Sequence, residues 1–174
     1  MVDYHVHIGQ YGTLYFQPYR VVKILKEVGV SGAFVSSTTS CMTWENREEM
    51  NLIISHIKDE FYEGCEYAKS VGFGFKPLLW CVPNMYSAGV SVTEMIRDAN
   101  YCGLKIHPRA NVWDFNNQAT LRFCEELFEF ARDKNGLFLY TQVFATLKEQ
   151  TSLKNGLVCI VMLNLSCVIQ RIYL

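Results

Sequence analysis

An aspartate and two histidines alternate near the start of the sequence, in the stretch VDYHVHIG from Val2 to Gly9. Successive side chains of a β-strand point to opposite faces, so Asp3, His5 and His7 would share one face. Two imidazoles beside a carboxylate suit a divalent metal, with zinc preferred, because nitrogen donors match its softness. The same pattern also fits a solvated edge strand that carries two unrelated histidines.

A second polar group lies in the stretch GLKIHPR, from Gly103 to Arg109. Lys105 and His107 would share one face of this strand and project to the side of the first-strand histidines if the strands are parallel. Arg109 has the geometry to clamp a substrate carboxylate and is equally compatible with a surface position. Two more residues near the predicted rim are candidates for substrate contact or for packing: Trp80 and Asn84.

The elements around these residues alternate between short β-branched runs and amphipathic segments. After the first strand, we predict strands at Gly32 to Ser40, Gly74 to Pro83, Gly103 to Arg109 and Leu137 to Gln142. Predicted helices begin at Pro18, at Thr43, at the capping box of Ser91 and Glu94, and before Leu121. This order indicates a parallel α/β sheet, either closed as a (β/α)8 TIM barrel or open and doubly wound. The barrel is favoured because polar residues follow several strands and the first strand lacks a glycine-rich phosphate loop.

Composition limits the class of protein. The chain has 174 residues, a net charge of −1 and 50% hydrophobic residues, which fits one globular domain. The near-zero charge argues against nucleic-acid binding, and we expect no membrane span because the longest uncharged apolar run is too short. Seven scattered cysteines and no secretory signal predict reduced thiols and a cytoplasmic location.

The stretches DYHVH, from Asp3, and GLKIHP, from Gly103, resemble the amidohydrolase superfamily, particularly its amidohydrolase-2 branch, over residues 1–141. The resemblance implies a TIM barrel in which His5 and His7 bind a catalytic divalent metal. A metal-activated water would then hydrolyse a small-molecule substrate, or the reaction would be a decarboxylation as in part of this branch. Lys105 occupies the strand where some binuclear members carry a carboxylated bridging lysine. A barrel-interior lysine paired with a carboxylate is the alternative.

The same resemblance suggests roles for two other residues near the metal ligands, Asp3 and His107. Asp3 lies too close to His5 along the strand to replace the family's distal aspartate, and it would orient an imidazole instead. His107 would contact the metal or the substrate, or it would be a structural histidine satisfied by backbone carbonyls. A phosphoesterase of the PHP type also carries two alternating first-strand histidines, but its other motifs are not found.

The sequence departs from the family at the fifth strand, where LFLYTQVF from Leu137 has no histidine. The family's late-strand aspartate is also missing, so no catalytic residue is assigned and we expect impaired activity. Residues 142–174 form an atypical tail, and one hypothesis is a changed reading frame near Thr141; natural or deliberate truncation is the alternative. A (β/α)8 domain needs about 250 residues, so we expect about five or six βα units.

An incomplete barrel would leave strand edges unpaired, and unpaired edges recruit other chains. The tail also contains an apolar, charge-free run from Leu157 to Ile169, which has the composition of an aggregation-prone strand. We therefore expect self-association. The alternative function is a non-catalytic fragment that acts as a self-associating structural module.

Overall fold

The computed structural model describes residues 1–42, 46–83, 101–108, 110–133, 137–143 and 158–163. Two candidate substrate residues, Asn84 and Arg109, lie outside the described residues. The predicted helix after the capping box of Ser91 and Glu94 lies outside them as well.

Seven strands form one sheet in the order β2-β1-β3-β4-β5-β6-β7. Five strands run parallel, and β2 and β7 pair antiparallel with β1 and β6 at the two ends of that order. The predicted parallel α/β sheet is therefore confirmed. The sheet formed by the described strands is open, so closure into a TIM barrel stays a prediction. The strands are β1 (Val2–Tyr11), β2 (Leu14–Phe16), β3 (Gly32–Ser37), β4 (Gly74–Cys81), β5 (Gly103–Ile106), β6 (Leu137–Val143) and β7 (Val158–Leu163).

Among the described residues, three α-helices connect the parallel strands: α1 (Pro18–Glu27), α2 (Arg47–Ser70) and α3 (Gln118–Asp133). Pro18 occupies the first turn of α1, where its missing N–H costs no helical hydrogen bond. Asn46 caps α2, because its side-chain oxygen accepts a hydrogen bond from the Glu49 backbone N–H at 3.0 Å. Among the helices described, none has both the length and the apolar character needed to cross a membrane.

The main core lies between one face of the sheet and helices α1 and α2. Val6 and Ile8 supply the β1 part of this core, and alternation along the strand then turns His5 and His7 to the opposite face. The core residues are Val6, Ile8, Val22, Val30, Ala33, Val35, Ile53, Ile57, Phe61, Ala68 and Phe73. Helices α1 and α2 therefore pack against one face of the sheet, and His5 and His7 lie on the opposite face.

Several local features differ from the sequence prediction. β4 ends at Cys81 rather than Pro83, and β5 ends at Ile106, so His107 follows the strand instead of lying on it. The second predicted strand ends at Ser37 rather than Ser40, because the Ser37 hydroxyl accepts the Thr39 backbone N–H at 3.0 Å and starts a 3₁₀ turn, Thr38–Cys41. β2 is a three-residue strand that the hydrophobic pattern did not indicate. β1 also contains a register irregularity between Asp3 and Val6, the kind of bulge that often lies beside functional sites.

Candidate metal centre

The two histidines of β1 approach each other through their Nε2 atoms. These atoms are 3.0 Å apart, and the rings meet edge to face with centroids 4.8 Å apart. The bulge before Val6 leaves His5 and His7 on the same side of the sheet. Two imidazole nitrogens therefore converge on one point.

Lys105 of β5 reaches the same point from across the sheet. Its Nζ lies 3.0 Å from His5 Nε2 and 2.5 Å from His7 Nε2, and it donates a hydrogen bond to Ser36 Oγ at 3.1 Å. The side chain is 0% exposed. Within the described residues its polar partners are thus two imidazoles and a hydroxyl rather than the carboxylate expected for a structural lysine. We call His5, His7 and Lys105 the nitrogen cluster.

Burial and repulsion between like charges favour the uncharged forms of the three groups in the nitrogen cluster. Desolvation, with the nearby Lys105, lowers the pKa of His5 to about 4 and that of His7 to about 3. Desolvation also lowers the pKa of Lys105 to about 7. At neutral pH both imidazoles are therefore uncharged and have a lone pair available for a cation.

Trp80 of β4 forms one wall of the nitrogen cluster. The Lys105 Nζ lies 3.9 Å from the centre of the Trp80 ring, and the His7 ring centroid is 5.1 Å away. The indole N–H donates to Asn111 Oδ1 at 2.9 Å, which fixes the orientation of the ring. His107 stacks on the same indole with an interplanar angle of 14° and a centroid distance of 6.1 Å. Trp80 thus separates His107 from direct ring contact with His7 and shields the lysine from water.

The structure places the remaining candidates at the margin of this cluster. Asp3 accepts a hydrogen bond from the His5 backbone N–H at 2.9 Å, so its carboxylate supports the bulge. His107 Nδ1 accepts the Ala110 backbone N–H at 3.2 Å, so its partner at this nitrogen is a backbone donor rather than a carbonyl. Both residues are close to the nitrogen cluster, and their charges influence the pKa of His5.

A complete ligand set is not present in the part of the chain that the structure describes. No group of three or more His, Cys, Asp or Glu residues suited to a metal ion occurs among those residues. Structural and catalytic zinc sites use at least three protein ligands. His5 and His7 therefore supply two imidazole donors, and the third nitrogen at this point belongs to Lys105.

Sequence reasoning missed a second polar cluster, next to the end of β1. Glu60 of α2 is 4% exposed and accepts hydrogen bonds from Ser37 Oγ at 2.5 Å and Thr39 Oγ1 at 2.7 Å. We call Glu60, Ser37 and Thr39 the hydroxyl clamp. One signal for it was available, because a glutamate three residues after Ile57 falls on the apolar face of α2.

Comparisons with known proteins support the fold. No protein-family model and no curated protein matches this sequence. A crystal structure titled amidohydrolase II is similar, with a TM-score of 0.53 and 14% sequence identity. The match covers 86% of this chain and 53% of that one, so the chain spans about half the length of the structure it matches. The similarity shows an α/β fold that the two chains share over the matched part.

Proposed function

We propose that this chain carries the first two metal ligands, His5 and His7, of a metal-dependent hydrolase of the amidohydrolase type. The observation that carries the proposal is the convergence of the two Nε2 atoms at 3.0 Å on the face of the sheet opposite the main core. The resemblance of DYHVH to amidohydrolases and the fold similarity to an amidohydrolase II support the same interpretation. We propose zinc as the metal and a small molecule as the substrate.

The residues present fit a zinc ion as a partial ligand set. Two nitrogens that each lie about 2.0–2.1 Å from one zinc ion are at most about 4.2 Å apart, so a separation of 3.0 Å allows shared coordination. Both imidazoles are neutral at pH 7, which is the protonation state that a metal ligand needs.

A bound zinc ion would lower the pKa of its water and supply hydroxide at neutral pH. The chain's own residues prepare the place for it. His5 and His7 direct their Nε2 lone pairs to one point, and Ser36 holds the lysine amine beside it at 3.1 Å. Trp80, which is 4% exposed, closes one side and excludes water there.

We propose slow turnover for the chain by itself. In the resembled family the metal is also held by a fifth-strand histidine, and a late-strand aspartate acts as the base. In this chain Gln142 of β6 stands at the position of that histidine. Decarboxylation remains a second reaction of the same branch.

Metal binding by variants tests the proposal. Stripped protein is titrated with Zn²⁺ or Co²⁺ while bound metal and the cobalt absorption spectrum are measured. We expect His5→Ala and His7→Ala each to weaken binding by at least about 100-fold, because removing one ligand of a two-imidazole set abolishes shared coordination. His56→Ala is the matched control, since His56 is exposed on α2.

Wild-type affinity in both first-strand variants would exclude the assignment. A loss in His56→Ala equal to that in His5→Ala would show adventitious binding to surface imidazoles instead.

We also propose self-association through the edge strand β2. All three β2 residues are exposed, and Leu14 is 58% and Tyr15 48% exposed. An apolar edge strand offers backbone groups and side chains to a second copy. Light scattering should show dimers or larger species at micromolar concentration, and Leu14→Lys should reduce them. A wild-type chain that stays monomeric contradicts this proposal.

A further inference from the structure

Glu60 lies outside the nitrogen cluster yet is tied to the strand that carries it. Its two carboxylate oxygens accept hydrogen bonds from different hydroxyls, Ser37 Oγ at 2.5 Å and Thr39 Oγ1 at 2.7 Å. These hydroxyls belong to the end of β3 and to the 3₁₀ turn that follows it. The carboxylate therefore fixes the conformation of this turn from α2, 23 and 21 residues away in sequence.

The same turn fixes β1 directly after the histidines. Thr39 Oγ1 accepts the Gln10 backbone N–H at 2.9 Å while it donates to Glu60. The neighbouring Thr38 Oγ1 donates to the backbone carbonyl of Ile8, also at 2.9 Å. Two hydroxyls thus hold the backbone on both sides of Gly9, and Ile8 follows His7 immediately.

Gly9 shows how closely β1 approaches the hydroxyl clamp. Its φ of +85° lies in the left-handed region, which side chains rarely adopt. A Cβ added there would lie 2.5 Å from Thr39 Oγ1 and 2.7 Å from both Glu60 Oε2 and Ser37 Oγ. Only a residue without a side chain allows the strand to pass this close to the three oxygens.

We infer that Glu60 is a positioning residue for the metal ligands: through Thr39 it sets the path of β1 after His7 and thereby aligns the His7 imidazole with that of His5. Residues that orient metal ligands from outside the coordination shell affect affinity without touching the ion. Imidazole nitrogens that must meet at one point tolerate displacements of only about 0.5 Å. The inference rests on the proposed function, because it takes His5 and His7 as metal ligands.

Cobalt titration of three α2 variants tests this role. Glu60→Ala removes both acceptors, and we expect Co²⁺ affinity to fall at least about tenfold with a weaker and shifted visible absorption band. Glu60→Gln keeps the side-chain volume and one acceptor oxygen, and its amide N–H can donate to a hydroxyl oxygen. The Co²⁺ affinity of this variant should therefore stay within about threefold of the wild type. Ile57→Ala is the matched control, since Ile57 lies one turn earlier on the same helix, is 1% exposed and belongs to the main core.

The outcomes separate positioning from stability. Reduced affinity in Glu60→Ala, with rescue in Glu60→Gln and a wild-type cobalt spectrum in Ile57→Ala, supports the inference. Wild-type affinity in Glu60→Ala, or an equal loss in Ile57→Ala, overturns it. If Glu60→Ala does not fold, Thr39→Val replaces it with Thr39→Ser as its control, and wild-type affinity in Thr39→Val then overturns the inference.

Wild-type protein that gives no cobalt spectrum contradicts the proposed function itself. An affinity that depends on His5 and His7 but not on Glu60 contradicts the positioning role alone.

Discussion

The nitrogen cluster and the hydroxyl clamp are two buried polar groups at neighbouring positions on the sheet, and they differ in how their hydrogen-bonding needs are met. In the clamp, each Glu60 oxygen receives a hydroxyl proton, and each hydroxyl also accepts a backbone N–H. In the nitrogen cluster, three basic nitrogens lie within 3.0 Å of one another. Buried polar groups are normally satisfied by complementary partners, as in the clamp.

The difference distinguishes a carboxylate that is bound by hydroxyl donors from a group of nitrogens that share one amine. In the hydroxyl clamp, each Glu60 oxygen accepts one hydroxyl proton. In the nitrogen cluster, the Lys105 amine is the partner of both Nε2 atoms and of Ser36 Oγ, and the donor in the His5 Nε2–His7 Nε2 contact depends on the imidazole tautomer. Our proposal places a metal ion between these two imidazoles, and three predictions follow from the contrast.

The largest stability effect is expected at Gly9, where β1 passes against the hydroxyl clamp. Gly9→Ala should lower the free energy of unfolding by about 3 kcal/mol. Alanine disfavours the left-handed conformation, and its Cβ would also push the β1 backbone away from the hydroxyl clamp. Gly12→Ala is the control, since Gly12 has a φ of +57° but no atom within 4 Å of an added Cβ. It should cost about 1 kcal/mol from the backbone alone.

Urea unfolding of the two glycine variants measures this difference. Equal losses in Gly9→Ala and Gly12→Ala would mean that the clamp does not constrain β1.

The next largest effect is expected at Lys105, whose Nζ lies beside the point on which both imidazoles converge. Lys105→Met should tighten Zn²⁺ binding by about tenfold at pH 6, because the Lys105 amine, whose pKa is about 7, must lose its proton before a divalent ion can lie about 3 Å from it. Metal titration by calorimetry measures the change. Weaker binding in Lys105→Met would instead identify the amine, or a carboxylated form of it, as a ligand.

The smallest effect is a pH dependence that arises from Glu60. Burial raises the pKa of this carboxyl above its ordinary value, while Ser37, Thr39, His56 and Tyr15 act in the opposite direction. A raised pKa in the folded state gives stability that is present below the ordinary glutamate pKa and is lost as pH rises through the raised value. Glu60→Gln does not titrate, so its stability relative to the wild type should increase over this pH range.

Chemical unfolding of both proteins between pH 4 and pH 8 checks the sign of this effect. A stability difference that moves in favour of the wild type with rising pH would contradict the raised pKa.

Much of the fold could be predicted because local patterns determine it. Alternation along β1 separates Val6 and Ile8, which enter the core, from His5 and His7 on the other face. Side chains alternate in step along parallel strands, so Lys105 projects to the same side of the sheet as His5 and His7.

The rest depended on interactions distant in sequence. The hydroxyl clamp joins Glu60 to residues of β3 and the following turn, and no local pattern specifies that pairing. The three residues of β2 are too few to produce a hydrophobic period. The side of the sheet on which Lys105 lies could be inferred, but its direct contacts with His5 and His7, which are 100 and 98 residues away in sequence, could not.

The central claim is that His5 and His7 bind one metal ion through their Nε2 atoms. X-ray absorption at the zinc edge, on wild-type protein loaded with one equivalent of zinc, tests it most directly. The account predicts scattering from at least two imidazole rings with Zn–N distances of about 2.0–2.1 Å, which His5→Ala and His7→Ala each reduce. A first shell of sulfur at about 2.3 Å, or a spectrum unchanged in both variants, would contradict it.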